Sequence, residues 1–294
     1  MAGAPDDLRP RRSILFVPAS NPRALDKARG LACDAVILDL EDAVAPDAKP
    51  AARQAAVEAV AQGFPGKEVV VRCNGLETAW GADDLWALAE AGPDAVLAPK
   101  VRSAADVAAY DQALATAPER TRLWCMIETP GAVLNLNAIA GGVRASRLSG
   151  LVLGLNDLAL ELRLRLGPGR AAAQPILSQA VVTARAHRLL VFDGVFNGLE
   201  DPEGFAAECR QGADFGFDGK TLIHPGQIEA CNRAFSPSPD EAAWARAVVE
   251  AFAAPGALGQ GALRLQGRMI ERLHLKEAER LLRLAEGASP SAAG

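Results

Sequence analysis

The sequence predicts an α/β protein: a closed (β/α)₈ barrel with a C-terminal helical extension. Three observations predict it. Strand-like and helix-like segments alternate eight times before about residue 235. The strand segments are apolar at consecutive positions, as in Ala35-Val36-Ile37-Leu38 and Ala95-Val96-Leu97-Ala98, which fits parallel strands covered on both faces. The repeat spends roughly the 250 residues that such a barrel needs. The rival, a doubly wound open sheet, lacks its Gly-rich fingerprint after the first strand.

Each element follows from local chemistry. Residues 1–12 carry charge and two prolines and read as a lead-in to a strand at 13–18. Asn21 caps a helix over 22–30 and Pro22 takes its favoured first position. A second strand spans 34–41, and an Ala-rich helix over 48–62 is closed by Gly63. The third strand, 69–72, precedes a helix at 83–91 stopped by Gly92-Pro93. The fourth strand, 95–100, leads to a helix capped by Ser103. Leu123-Trp124-Cys125-Met126-Ile127 is a fifth strand that ends in Glu128 and is broken by Thr129-Pro130-Gly131. The sixth, Leu151-Val152-Leu153-Gly154-Leu155, leads into Asn156-Asp157 by the same design. Helices at 174–187 and 201–211 alternate with strands at 189–193 and 215–218. These elements make a catalytic domain of residues 1–235. Residues 236–294 form a C-terminal arm or lid: a stiff Ser236-Pro237-Ser238-Pro239 connector, a helix over 241–253 capped by Asp240, a loose Gly-rich stretch, an amphipathic helix over 268–285 and a fraying tail at 288–294.

Composition narrows the function classes. The chain has 294 residues, half of them hydrophobic and 23% charged, with a net charge of −5. No basic block interleaves with aromatics, so nucleic acid is not an expected partner. No apolar run reaches spanning length, and residues 14–17 are too short for a signal core, so no membrane partner is expected. Cys33, Cys73, Cys125, Cys209 and Cys231 are dispersed without a CxxC pair, which argues against structural zinc and a disulfide framework and fits a cytoplasmic protein. Cys73 and Cys125 read as core fillers.

The chemistry gathers at strand exits, where barrel enzymes place it. Glu128 and Asp157 are two acids on neighbouring strands, and magnesium commonly takes one or two carboxylates with water and substrate completing its shell. The alternative is that each acid caps a nearby helix. Arg72 offers a planar fork for a carboxylate or thioester oxygen, or pairs with Asp39, Glu41 and Asp42. Lys100 reads as charge balance for those same acids rather than as a Schiff-base lysine. Lys220 and its glycines suit a phosphate, while His224-Pro225 suits a helix-entry turn. No Ser/His/Asp or Cys/His arrangement is readable.

Taken together, Ser13-Ile14-Leu15-Phe16-Val17-Pro18, Leu38-Asp39-Leu40-Glu41-Asp42, Val71-Arg72-Cys73-Asn74, Met126-Ile127-Glu128-Thr129 and Gly219-Lys220-Thr221-Leu222-Ile223-His224-Pro225 resemble the citrate lyase β-subunit and malyl-CoA lyase family. The match runs in order along nearly the whole chain. The resemblance implies a TIM barrel of the phosphoenolpyruvate/pyruvate-binding superfamily, dependence on Mg²⁺, and cleavage or formation of a carbon–carbon bond beside a thioester. It implies that Glu128 and Asp157 are the metal ligands, that Glu128 and Asn156 also meet substrate, and that Arg72 binds substrate and steadies negative charge. Phe16, Arg23 and Lys27 match the acyl-CoA entrance. The implied partners are an acyl-CoA thioester and a small α-keto acid, with an acyl carrier protein as an alternative carrier and a homotrimer or homohexamer as the assembly.

The family's C-terminal arm reads Gly-Lys-Met-Ile-Asp-x-Pro, and its Asp carries the proton. Here Gly267-Arg268-Met269-Ile270-Glu271-Arg272-Leu273 puts Glu271 at that position without the proline, so Glu271 is either the catalytic acid or a helix-surface acid. Ala19 stands where the family has Gly. The leading expectation is a lyase giving an acyl-CoA and an α-keto acid. Hydrolysis of the same thioester is its nearest rival, and a weakly active binding component is a third reading.

Overall fold

The computed structural model describes residues 9–257 and 259–287. Eight strands close into a barrel whose spatial order is the chain order. They are β1 (Ser13–Pro18), β2 (Ala35–Asp39), β3 (Glu68–Arg72), β4 (Ala95–Ala98), β5 (Arg122–Ile127), β6 (Leu148–Leu153), β7 (Leu190–Asp193) and β8 (Gly219–Leu222). Every pair is parallel, and β8 closes the ring by setting Lys220 beside Ser13 and Thr221 beside Ile14. The helices between them are α1 (Pro22–Arg29), α2 (Lys49–Gln62), α3 (Gly81–Ala91), α4 (Ala104–Ala113), α5 (Pro130–Leu134), α6 (Leu136–Gly141), α7 (Leu155–Leu162), α8 (Gln174–His187) and α9 (Pro202–Phe215), with α10 (Ile228–Ala234) after β8.

Hydrophobic burial drives closure. Ile14, Ile37, Val70, Leu97, Val152 and Phe192 meet inside the ring with Trp124. The Trp124 and Phe192 ring centroids lie 4.7 Å apart. Gly150 makes room for the indole, because a Cβ there would come within 2.9 Å of Trp124 Cδ1. The expected caps are present: Asn21 Oδ1 accepts from the Ala24 N–H at 3.1 Å, and Ser103 forms a capping box with Asp106. Cys73 and Cys125 are fully buried, as small core residues.

Three of the boundaries that differ from expectation concern β8, Asp157 and the helix after the connector. The eighth strand is Gly219–Leu222 rather than 215–218, because α9 continues to Phe215 and stops at left-handed Gly216. Asp157 stands in the first turn of α7 rather than on a strand, since β6 ends at Leu153. The helix after the connector is capped by Ser238, whose hydroxyl accepts from the Glu241 N–H, while Asp240 lies inside its first turn.

The chain forms two compact units, one spanning Arg11–Asn232 and the other beginning at Arg233. The second contains α11 (Pro239–Ala253), β9 (Ala262–Leu265), β10 (Arg268–Glu271) and α12 (Arg272–Gly287). The Gly-rich stretch is not loose: β9 and β10 pair antiparallel across Gln266 and Gly267, both at positive φ, as a tight hairpin requires, so the helix expected over 268–285 begins only at Arg272. Ala245, Val248, Ile270 and Ala278 form its core. The tail at 288–294 lies outside the described residues.

Candidate active site

The C-terminal ends of the barrel strands surround a cavity of about 390 Å³. Phe16, Arg72, Glu128, Asn156 and Asp157 all line it, so the fold brings together five of the residues singled out from the sequence. Arg23 and Lys27 are exposed on α1 and do not line it. Glu271 belongs to the second unit, where it ends β10 and its N–H donates to His274 Nδ1 at 2.8 Å.

Glu128 follows β5 directly and is fully buried. Its Oε1 accepts the Lys100 backbone N–H at 2.7 Å, whereas its Oε2 is buried with no hydrogen-bond partner among the described residues. Burial pushes this carboxyl above its ordinary pKa, opposed by the charge of Lys100. Gly154 is obligatory beside it: a Cβ at that position would fall 2.4 Å from Glu128 Cβ and 2.6 Å from Oε2. Asp157 is more open and holds the Lys100 ammonium at 2.6 Å from Oδ1. That ammonium is also 3.6 Å from Glu128 Oε1. The expectation that Lys100 balances Asp39, Glu41 and Asp42 is therefore corrected. The turn after β4 runs through left-handed φ at Lys100 and turns the lysine toward β5 and α7.

Arg72 ends β3, and Asp39 ends β2 beside it in register. Asp39 grips the guanidinium with two bonds of 2.7 Å, from Nε and from Nη2. The Glu41 and Ala43 N–H groups in turn hold Asp39 at 2.9 and 3.2 Å, so the fork is fixed by backbone. Nη1 points to Glu41 Oε2 at 2.9 Å and to exposed Asp42 at 3.2 Å, and the guanidinium carbon lies 5.0 Å from the Phe16 ring centroid. The Glu41 contact is an ion pair not aligned as a hydrogen bond. Burial pushes the Glu41 carboxyl up to about 8 against the pull of Arg72, with Glu128 and Asp42 adding repulsion.

Five carboxyl groups thus face two cations at this mouth. Among the described residues no group of three or more His, Cys, Asp or Glu is arranged to enclose a metal, so a closed structural site is not present. Two carboxylates suffice for magnesium, which keeps water in the other positions. Asn156 accepts from Asn197 Nδ2 at 2.7 Å, which steadies it at the rim.

The phosphate expectation for Lys220 is not met. Its side chain is fully buried, donating to Glu208 at 2.7 Å and Asp193 at 3.1 Å, with Arg170 completing the cluster at 2.8 Å from Asp193. Burial works against the Asp193 charge, but Lys220 and Arg170 hold the carboxyl below its ordinary range. His224 forms the helix-entry turn, its Nδ1 accepting from the Gly226 N–H at 3.1 Å.

A closed parallel barrel with ionisable groups gathered at its C-terminal mouth is the architecture of a TIM-barrel enzyme. The chain belongs to the HpcH/HpaI aldolase/citrate lyase family, which matches residues 12–225. It is 47% identical over 278 residues to a (3S)-malyl-CoA thioesterase of Cereibacter sphaeroides, covering 94% of this chain and 95% of that one. It is 36% identical over 310 residues to an L-malyl-CoA/beta-methylmalyl-CoA lyase of the same species, covering 96% of each. Among solved structures, protein CitE from Mycobacterium tuberculosis in complex with magnesium, acetoacetate and coenzyme A superposes with a TM-score of 0.75 at 34% identity, covering 95% of this chain and 99% of that one. No helix among the described residues is long and apolar enough to cross a membrane.

Proposed function

We propose that this protein hydrolyses a malyl-type CoA thioester, using magnesium held by Glu128 and Asp157. The observation that carries the site is the buried, unpartnered Oε2 of Glu128 in a cavity where carboxylates outnumber cations. A buried carboxylate oxygen with no donor is costly unless a cation or ligand group meets it. The residues therefore fit a divalent oxygen-seeking ion. Magnesium bound there would gather the hydroxyl and carboxylate oxygens of the acyl group and polarise them.

The chain's own residues supply the rest. Arg72 is held by Asp39 on one edge and presents Nη1 to the cavity, where exposed Asp42 is its most displaceable partner. The thioester oxygen takes that place, and the guanidinium steadies the charge that grows on it. Phe16 covers the other face of Arg72 and screens it from water. Asn156 and Asn197 give the rim polar groups for the acyl carboxylate. In hydrolysis the oxygen of water adds to the thioester carbon, the carbon–sulfur bond breaks, and the two protons of water end on the thiol and the new acid. The free acid and coenzyme A leave.

Hydrolysis is placed ahead of carbon–carbon cleavage because identity to the thioesterase relative, 47%, exceeds that to the lyase relative, 36%. This reverses the order expected from sequence. Cleavage stays the second reading, since the lyase match spans 96% of both chains and the same carboxylates and arginine would serve it. In that reading Glu271 is the candidate proton carrier, and a trimer or hexamer the candidate assembly. The test is to incubate the full chain with malyl-CoA and Mg²⁺ and follow the products. Free thiol with malate supports hydrolysis, and glyoxylate with acetyl-CoA supports cleavage. No turnover of either kind, with and without chelator, sinks the enzymatic proposal.

A further inference from the structure

Among the described residues Lys100 is the one cation in contact with both acids of the pair, and its two contacts differ in kind. Its backbone N–H donates to Glu128 Oε1 at 2.7 Å, while its ammonium lies 2.6 Å from Asp157 Oδ1 and 3.6 Å from Glu128 Oε1. The backbone contact is built in. Lys100 adopts φ +51°, a conformation uncommon for a residue with a Cβ. The ammonium contact is not built in: it hangs on a four-carbon stem, the side chain keeps a quarter of its exposure, and a hydrated point charge releases easily into water.

We infer that Lys100 is a displaceable counter-ion for Glu128 and Asp157, which competes with the divalent cation for the space between them while its backbone keeps Glu128 aimed. The inference rests on the magnesium reading of this site. Without a cation between them the two carboxylates repel, and a divalent ion bound to both would lie within a few ångströms of the ammonium. Two cations that close repel strongly in a partly buried site. The metal therefore binds by moving the lysine side chain, and its affinity is set by the difference between the two cations rather than by the carboxylates alone. The N–H of residue 100 stays on Oε1 throughout, so Oε2 remains available to the metal and the carboxylate does not turn.

The test needs no substrate. Mg²⁺ is titrated calorimetrically into wild type, Lys100→Met and Lys100→Arg. Removing the charge tightens Mg²⁺ binding about tenfold or more, and keeping it in Lys100→Arg does not. The metal-free Lys100→Met protein also melts below wild type, because its acids have lost their counter-ion. If Lys100→Met does not fold, wild type answers the question: saturating Mg²⁺ raises the labelling of Lys100 by an amine-reactive reagent, read by mass spectrometry. Equal or weaker Mg²⁺ binding by a folded Lys100→Met, or unchanged labelling in metal-saturated wild type, overturns the inference and leaves the magnesium site standing. Absence of Mg²⁺ binding in both wild type and Lys100→Met overturns the magnesium site and the inference together.

Discussion

Two groups of buried charge stand at strand exits of the same barrel, and they differ in the balance of acids against bases. At β7 and β8, Asp193 and Glu208 meet Lys220 and Arg170, two acids against two bases, and both acids have close basic partners. At the exits of β2, β3, β5 and β6, five carboxyl groups share Arg72 and Lys100, and Glu128 keeps one oxygen without a partner among the described residues. The first cluster is balanced in charge, although Arg170 Nη2 is buried without a hydrogen-bond partner among the described residues, and it holds β7 against β8. The second carries an excess of negative charge in a cavity, so it is poised to take up a cation and a polar ligand. Burial alone does not distinguish a structural ion cluster from a functional one. The balance of acids against bases does.

Substitutions in the two clusters should therefore fail in opposite ways. Glu128→Gln is expected to lower Mg²⁺-dependent turnover by about a thousandfold, the scale on which a lost electrostatic anchor acts. Its melting temperature should not fall, because the substitution removes a buried charge that desolvation disfavours. A stability loss matching the activity loss would put Glu128 in the structural class. Lys220→Met should do the reverse, costing about 3 kcal/mol in denaturant unfolding by leaving Asp193 and Glu208 underpaired, with Mg²⁺ affinity of the folded fraction unchanged. Gly154→Ala sharpens the comparison, since its Cβ would sit 2.4 Å from that of Glu128. It should weaken Mg²⁺ binding by about 10–100-fold, as loss of a supporting contact does, measured by titration without substrate.

Glu41 gives a smaller, pH-dependent effect. Its folded carboxyl is raised from 4.5 to about 8, so the native state keeps a proton that the unfolded chain releases. Its contribution is fully present below pH 4.5 and is lost as pH rises toward about 8. Glu41→Gln should flatten that part of the stability profile, and an unaltered slope would assign it elsewhere. Smallest is Ser238→Ala in the second unit, which removes a capping box and should cost about 1 kcal/mol.

Much of this was legible in the chain. The apolar runs of β2, β4 and β5 and the caps at Asn21 and Ser103 announce themselves because burial and capping are local demands on residue type. Arg72 and its acids were also readable, since β2 and β3 are sequential neighbours in a parallel sheet. The hairpin of β9 and β10 was not, because Gln266-Gly267 is not a common turn pair and glycines flank it. The partner of Lys100 was missed for another reason. It depends on the left-handed turn after Pro99 and on Asp157 standing in a helix rather than on a strand.

By itself, then, the sequence determined the barrel, the order of its strands and the residue types waiting at their ends, because periodicity and turn chemistry act over a few residues. Tertiary structure decided which charges meet. Lys220, set beside a phosphate by pattern, is sealed into a balanced cluster, and Lys100, set beside the β2 acids, lies between Glu128 and Asp157. A side chain's charge is written in the chain, but its counter-ion is chosen by which strand exits the closed ring brings within a few ångströms.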